Sequence, residues 1–157
     1  MAIGIEVEGA REIEDRTREI VARMVGVSTM VRVTTSLRIR NLRRYDNNAG
    51  PDGRFWKRLA PSTIEQKQRL GGFSPAGLPK LVRTGRLRAS FVTRARAVRG
   101  GSEGAVGTDV PYAVFHQFGT SRMPKREPLG VAQEDVKIVR RIMCQVFEAT
   151  RDGREGV

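Results

Sequence analysis

"FVTRARAVRGGSEGAVGT", residues 91–108, decides the fold. Phe91, Thr93, Ala95 and Ala97 alternate with Val92, Arg94, Arg96 and Val98, the two-residue period of a strand with unlike faces. The stretch 99–104 has the composition of a hairpin loop, and "AVGT" (105–108) returns as a short second strand. Two fixed charges on one strand face exclude that face from a core, so Arg94 and Arg96 meet water, a partner or nucleic acid. A small antiparallel sheet set between helical segments predicts an α+β chain.

Working outward, Pro111 stands where the first turn of a helix tolerates it and predicts a short helix over 111–118. "GTSRMPKREP" (119–128) reads as extended loop because its prolines block regular pairing. Val136, Val139, Ile142, Met143, Val146 and Phe147 recur at helical spacing, so a final helix from about 131 to 150 is expected to pack on the sheet. Cys144 belongs to that pattern and is expected as a small buried thiol rather than a reactive one. The last residues, 151–157, read as a flexible tail.

Upstream of the hairpin, "LVRTGRLRASF" (81–91) is a short helix or turn. Residues 46–80 are polar and rich in turn formers, with one short helix near 62–70. They are expected to be a long loop or arm that a partner orders. Before them, Met30, Val31, Leu37, Leu42 and Tyr45 mark a long helix capped by Ser28 or Thr29. Its other face carries Arg32, Arg38, Arg40, Arg43 and Arg44. An earlier helix starts at Ala10 and breaks at Gly26, and "AIGIEVEG" (2–9) alternates like a half-buried strand. Residues 1–150 thus form a single expected domain.

Charge separates along the chain. The formal net charge is +12, with 24 Arg against 5 Lys. Residues 1–20 hold six acids and three arginines, whereas 83–99 hold six arginines and no acid. Opposite-signed surfaces on one subunit suit a head-to-tail ring of like subunits, with Arg94, Arg96 and Arg99 meeting Glu8 and Glu12 of a neighbour. The alternative for so basic a chain is nucleic acid, yet aromatic residues do not interleave with the arginines as a stacking platform requires. No apolar run approaches the roughly 20 residues of a membrane span. The acid-bearing N-terminus does not read as a signal peptide, which predicts synthesis in the cytoplasm.

Chemistry is harder to find. His116 is the only histidine and Cys144 the only cysteine, so a zinc site has no second ligand of either kind. No phosphate-binding glycine loop follows a strand, and no cofactor is expected. His116 sits near Phe115 and Phe118 with no carboxylate close in sequence to orient its ring. It reads as a packed residue with one ring nitrogen hydrogen-bonded, not as a catalyst, and no enzyme activity is expected.

Four blocks then line up in order: "GRFWKRLAPSTIEQK" (53–67), "LVRTGRLRASF" (81–91), "VGTDVPYAVFHQFGT" (106–120) and "MPKREPLGV" (123–131). Their Trp56, Leu59, Thr63, Leu81, Thr84, Gly85, Leu87, Ser90, Gly107, Thr108, Tyr112, Ala113, His116, Gln117, Gly119, Pro124, Arg126 and Gly130 form the pattern. As a set they resemble the phage virion morphogenesis, or tail completion, family of long-tailed bacteriophages. Glu127 and Leu129 depart from that pattern, where the family more often has Pro and Phe.

The resemblance implies a structural protein of the virion neck, at the head-proximal end of the tail, assembled in the host cytoplasm. Related proteins form a ring, commonly a hexamer, between the tail tube or tail terminator protein and the head connector or adaptor proteins, around a channel that passes DNA. It also implies that Tyr112, His116 and Gln117 hold the following P-x-R arm, with Gly119 at a left-handed turn. The runner-up is a sequence-independent DNA-binding protein of phage packaging or replication. A small hydrolase using His116 stands third.

Overall fold

The computed structural model describes residues 10–69 and 80–153. Its elements are α1 (Ala10–Met24), α2 (Val27–Asp46), α3 (Pro61–Arg69), α4 (Arg86–Ala89), β1 (Val92–Val98), β2 (Gly101–Gly107), α5 (Ala113–Phe118) and α6 (Gln133–Arg151). The expected strand over 2–9 lies outside the described residues. The α+β class is as expected.

β1 and β2 pair antiparallel with Arg94 opposite Ala105, Arg96 opposite Glu103 and Val98 opposite Gly101. The turn is tighter than composition suggested: only Arg99 and Gly100 connect the strands, and 101–104 belong to β2. Gly100, at φ 84°, supplies the left-handed backbone such a short connection needs.

The helix lying on this sheet is α2, which touches both strands; α6 packs instead on α1 and α2. This corrects the expectation that the C-terminal helix covers the sheet. Gly104 explains why α2 can come so close, since a Cβ there would stand 2.6 Å from Met30 Cγ. The phase of α6 also differs from its apolar pattern. The buried positions are Asp135, Ile142, Val146 and Thr150, while Val136, Phe147 and Cys144 are exposed. The expected buried thiol is therefore a surface one, because the inward stripe mixes polar with apolar residues.

Two further expectations shift. Gly26 itself precedes α2, and Thr29 is buried with its hydroxyl donating to Arg23 O at 2.7 Å, so it closes the end of α1 rather than capping α2. The arm 46–80 is not one unit. Within 46–58 an isolated bridge pairs Ala49 with Phe55, and Trp56 N–H donates to Asn48 O at 2.8 Å. That places Trp56 in the subunit's own core.

That core gathers Tyr45, Trp56, Leu87, Phe91, Val110 and Ala113. Tyr45 is its centre, edge-on to Trp56 and Phe91 at centroid distances of 5.7 and 5.6 Å. Its hydroxyl donates to Leu81 O at 2.9 Å. An 18-residue window within Glu12–Asp46 reaches a mean hydropathy of 1.2, more apolar than the sequence reading allowed. The continuity of that stretch is broken between Met24 and Val27, and Thr29, Thr34 and Asn41 are buried within it.

Candidate functional site

The four sequence blocks meet in space around the arm that follows α5. Its hinge is Gly119, at φ 76° and ψ 178°, a region almost reserved for glycine. A Cβ there would stand 2.8 Å from Lys125 N. The positive φ matches the expectation, although the extended ψ makes it something other than a left-handed helical turn. A turn closes between Thr120 and Met123, with N–H to O distances of 2.8 and 3.3 Å.

Gln117 then clamps the arm's far end. Its Nε2 donates to Leu129 O at 2.8 Å and its Oε1 accepts from Leu129 N at 3.3 Å. His116 acts through its backbone, its carbonyl accepting from Arg126 N at 2.9 Å. Its ring stands edge-on to Tyr112 at 6.0 Å. Nδ1 is buried and has no hydrogen-bond partner among the described residues, unlike the satisfied ring expected. Leu129, one of the two departures from the pattern, packs against the core.

Arg126 ties the fourth block to the first. It is 5% exposed and donates to Lys57 O at 3.3 Å and Arg58 O at 3.2 Å. No carboxylate pairs with it among the described residues. Burial pushes its pKa below the usual arginine value, and it acts on its neighbours in turn. His116 is pushed down by burial and then by Arg126, as is Lys67. Lys80 is pushed down by burial, Arg126 and Arg58. The second and third blocks join through Ser90 Oγ and Thr108 Oγ1, 2.5 Å apart. Gly85, at φ 79°, opens α4 so that Leu87 enters the core, and Thr84 Oγ1 accepts from Arg86 N at 3.4 Å. Pro124 is half-buried within the arm.

The arm's end meets a cluster that the sequence reading missed. Asp135, fully buried, accepts from Arg40 Nε, from Arg44 Nη1 at 2.7 Å and from Ala132 N at 2.8 Å. Arg44 Nη2 also donates to Gly130 O at 2.8 Å, and Asn41 Oδ1 accepts from Gly130 N at 3.0 Å. Burial raises the Asp135 carboxyl, but the Ala132 N–H and the two guanidiniums outweigh it and hold its pKa below the ordinary carboxylate value. Arg40 and Arg44 of the arginine-bearing face of α2 are thus tied inward. Arg38 joins them, donating to Phe91 O at 2.5 Å.

The hairpin arginines lie apart from this arm. Arg96 is paired across the strands with Glu103 at 2.5 Å, an exposed contact, while Arg94 faces Ala105 and Arg99 sits in the exposed turn. Glu12 is exposed on α1, and Glu8 lies outside the described residues. No ion pair joins the hairpin arginines to Glu12 within the described part of the subunit.

Comparison with curated proteins and with solved structures finds no match. The model of the phage virion morphogenesis family matches residues 4–148, nearly the whole chain. The four blocks that meet around the arm all fall within this match, and the chain belongs to the phage virion morphogenesis family.

Proposed function

We propose that this virion protein completes the tail and joins it to the head, working as a ring of like subunits in the neck. The observation that carries the reading is the outer face of α5. Its inner side is fixed to the arm through Gln117 and His116, yet Phe115 and Phe118 stand 53% and 72% exposed on it. A short helix locked in place while presenting two aromatic rings is prepared for contact with another protein surface. Burying one such ring contributes roughly 1.5–3 kcal/mol.

The acid-rich start of the chain meeting Arg94 and Arg99 of a neighbour remains the reading for the polar part of the same ring. Arg96, already paired with Glu103, is the weaker contributor. Tail tube or terminator on one side and connector or adaptor on the other are the partners this reading implies, with virion DNA passing through the channel.

The test is assembly of Phe115→Asp with Phe118→Asp, followed by particle mass and by head–tail joining in an in vitro complementation. Subunits that remain folded but fail to assemble support the ring. Normal joining by the variant refutes it, and steeply salt-dependent DNA binding by free subunits transfers the function to the DNA-binding alternative.

A further inference from the structure

A cavity of about 540 Å³ opens between α3, α4 and α5, and its wall is unusually one-sided in charge. Lys67, Lys80, Arg83, Arg86 and His116 line it, and no carboxylate does among the described residues. Behind this wall Arg126 is buried close enough to lower the pKa of His116 and of both lysines. Like charges gathered around a partly desolvated space cost free energy, and a bound anion relieves that cost. The buried Nδ1 of His116 adds a polar atom left without a partner.

The shape of the cavity selects among anions. Its volume lies in the roughly 300–1,000 Å³ range of ligand pockets. Leu81, Val82, Leu87 and Tyr112 give it an apolar floor beside the cationic wall. Duplex phosphates are presented on a wide convex surface and favour protruding cations over a recessed apolar pocket. A peptide offers carboxylates and apolar side chains at short spacing. Within a second copy of this chain, Glu14, Glu19, Asp46, Glu103 and Glu134 are paired with its own Arg or Lys, and the exposed Glu12, Glu65, Asp109 and Glu148 stand as scattered single acids among the described residues, not as a short acidic run.

We propose that this cavity docks an acidic peptide segment of a partner protein of different sequence, its carboxylates meeting Lys80, Arg83 and Arg86 and its apolar side chains meeting Leu81, Val82 and Tyr112. The assignment stands independently of the ring, and the test below reads the free subunit.

His116 is the chain's only histidine, so its ring-proton signal is an uncluttered reporter inside the pocket. The probes are a capped peptide alternating glutamate and leucine, the same peptide with glutamine, inorganic phosphate, and a mixed-sequence DNA duplex. The glutamate peptide is expected to move the His116 signal saturably and to raise its titration midpoint. The other three bind at least tenfold more weakly. Arg83→Gln with Arg86→Gln, both exposed and outside the core, is expected to weaken the glutamate peptide at least tenfold while leaving the fold unchanged. An unmoved signal, equal binding of the glutamine peptide, equal or tighter binding of phosphate or DNA, or full binding by the variant each overturns the assignment.

Discussion

Two buried arginine sites sit at opposite ends of the same arm, and they are built on opposite terms. At Asp135, two guanidiniums and a backbone N–H converge on one carboxylate, so each charge is answered within the chain. At Arg126, a guanidinium more deeply buried than Arg40 or Arg44 has two carbonyls and no carboxylate among the described residues, with His116, Lys67 and Lys80 near it. The first site locks α2, the arm and α6 together. The second keeps an uncompensated positive field at the surface. The contrast teaches that arginine burial here follows two purposes, fastening in one place and readiness for an outside group in the other.

The largest effect is expected at the closed site. Asp135→Ala leaves Arg40 and Arg44 without their carboxylate and should cost about 3–5 kcal/mol of stability, the usual penalty for breaking a buried pair. Urea denaturation measures it. A loss below about 1 kcal/mol would show that water, not Asp135, satisfies the two arginines.

At the open site the expected effect is smaller. Arg126→Met removes two bonds to carbonyls but also a like charge among cations, so a net loss of about 1–2 kcal/mol is expected. The same variant should raise the His116 titration midpoint, since both Arg126 and burial hold it below 6.5. A loss as large as that of Asp135→Ala breaks the comparison.

Acid sharpens it with the smallest effect. His116 has a folded pKa below its ordinary 6.5, so between the two values the unfolded chain binds the extra proton. Its contribution is full above pH 6.5 and is lost as pH falls from there through the folded value. Asp135 has a folded pKa below 3.8, so its contribution is full above 3.8 and is lost only under stronger acid. A tenfold difference in proton affinity between the folded and unfolded chain is worth about 1.4 kcal/mol. A stability profile should therefore decline first from near pH 6.5, a limb that His116→Gln removes, and again below 3.8. Asp46, lowered by its hydrogen bonds from Arg88, adds to the second limb. A profile flat from pH 7 to 4 contradicts the lowered histidine.

What was legible in the chain was local. The alternation at 91–98 placed β1 to within one residue, and the break at Gly26 placed the boundary between α1 and α2, because backbone rules act over a few neighbours. The ordered blocks marked the arm, since Gln117 reaches Leu129 only 12 residues on. The Asp135 cluster was invisible because its partners lie 91 and 95 residues away. Arg40 and Arg44 read only as members of an arginine-bearing helix face for the same reason. Cys144 was misplaced because apolar spacing alone does not reveal that Asp135 and Thr150 share the inward stripe of α6. The open site needed three dimensions, since Lys67, Lys80, His116 and Arg126 come from different stretches.

The hairpin carries one more consequence. A sheet of two strands has two outer margins, and among the described residues no strand lies beside the seven-residue strand at either of them. Such margins recruit strands from other chains and seed fibrous aggregates. Here each is short, β2 is interrupted by Gly101, Gly104 and Gly107, and the outer face carries Arg94, Arg96 and Glu103. These are gatekeepers: they weaken chance strand pairing without touching the face that α2 covers. Replacing Arg94 with an isoleucine leaves the hairpin's own register intact and removes one of those guards. The cost falls on solubility during storage at high concentration and not on the fold of the isolated subunit.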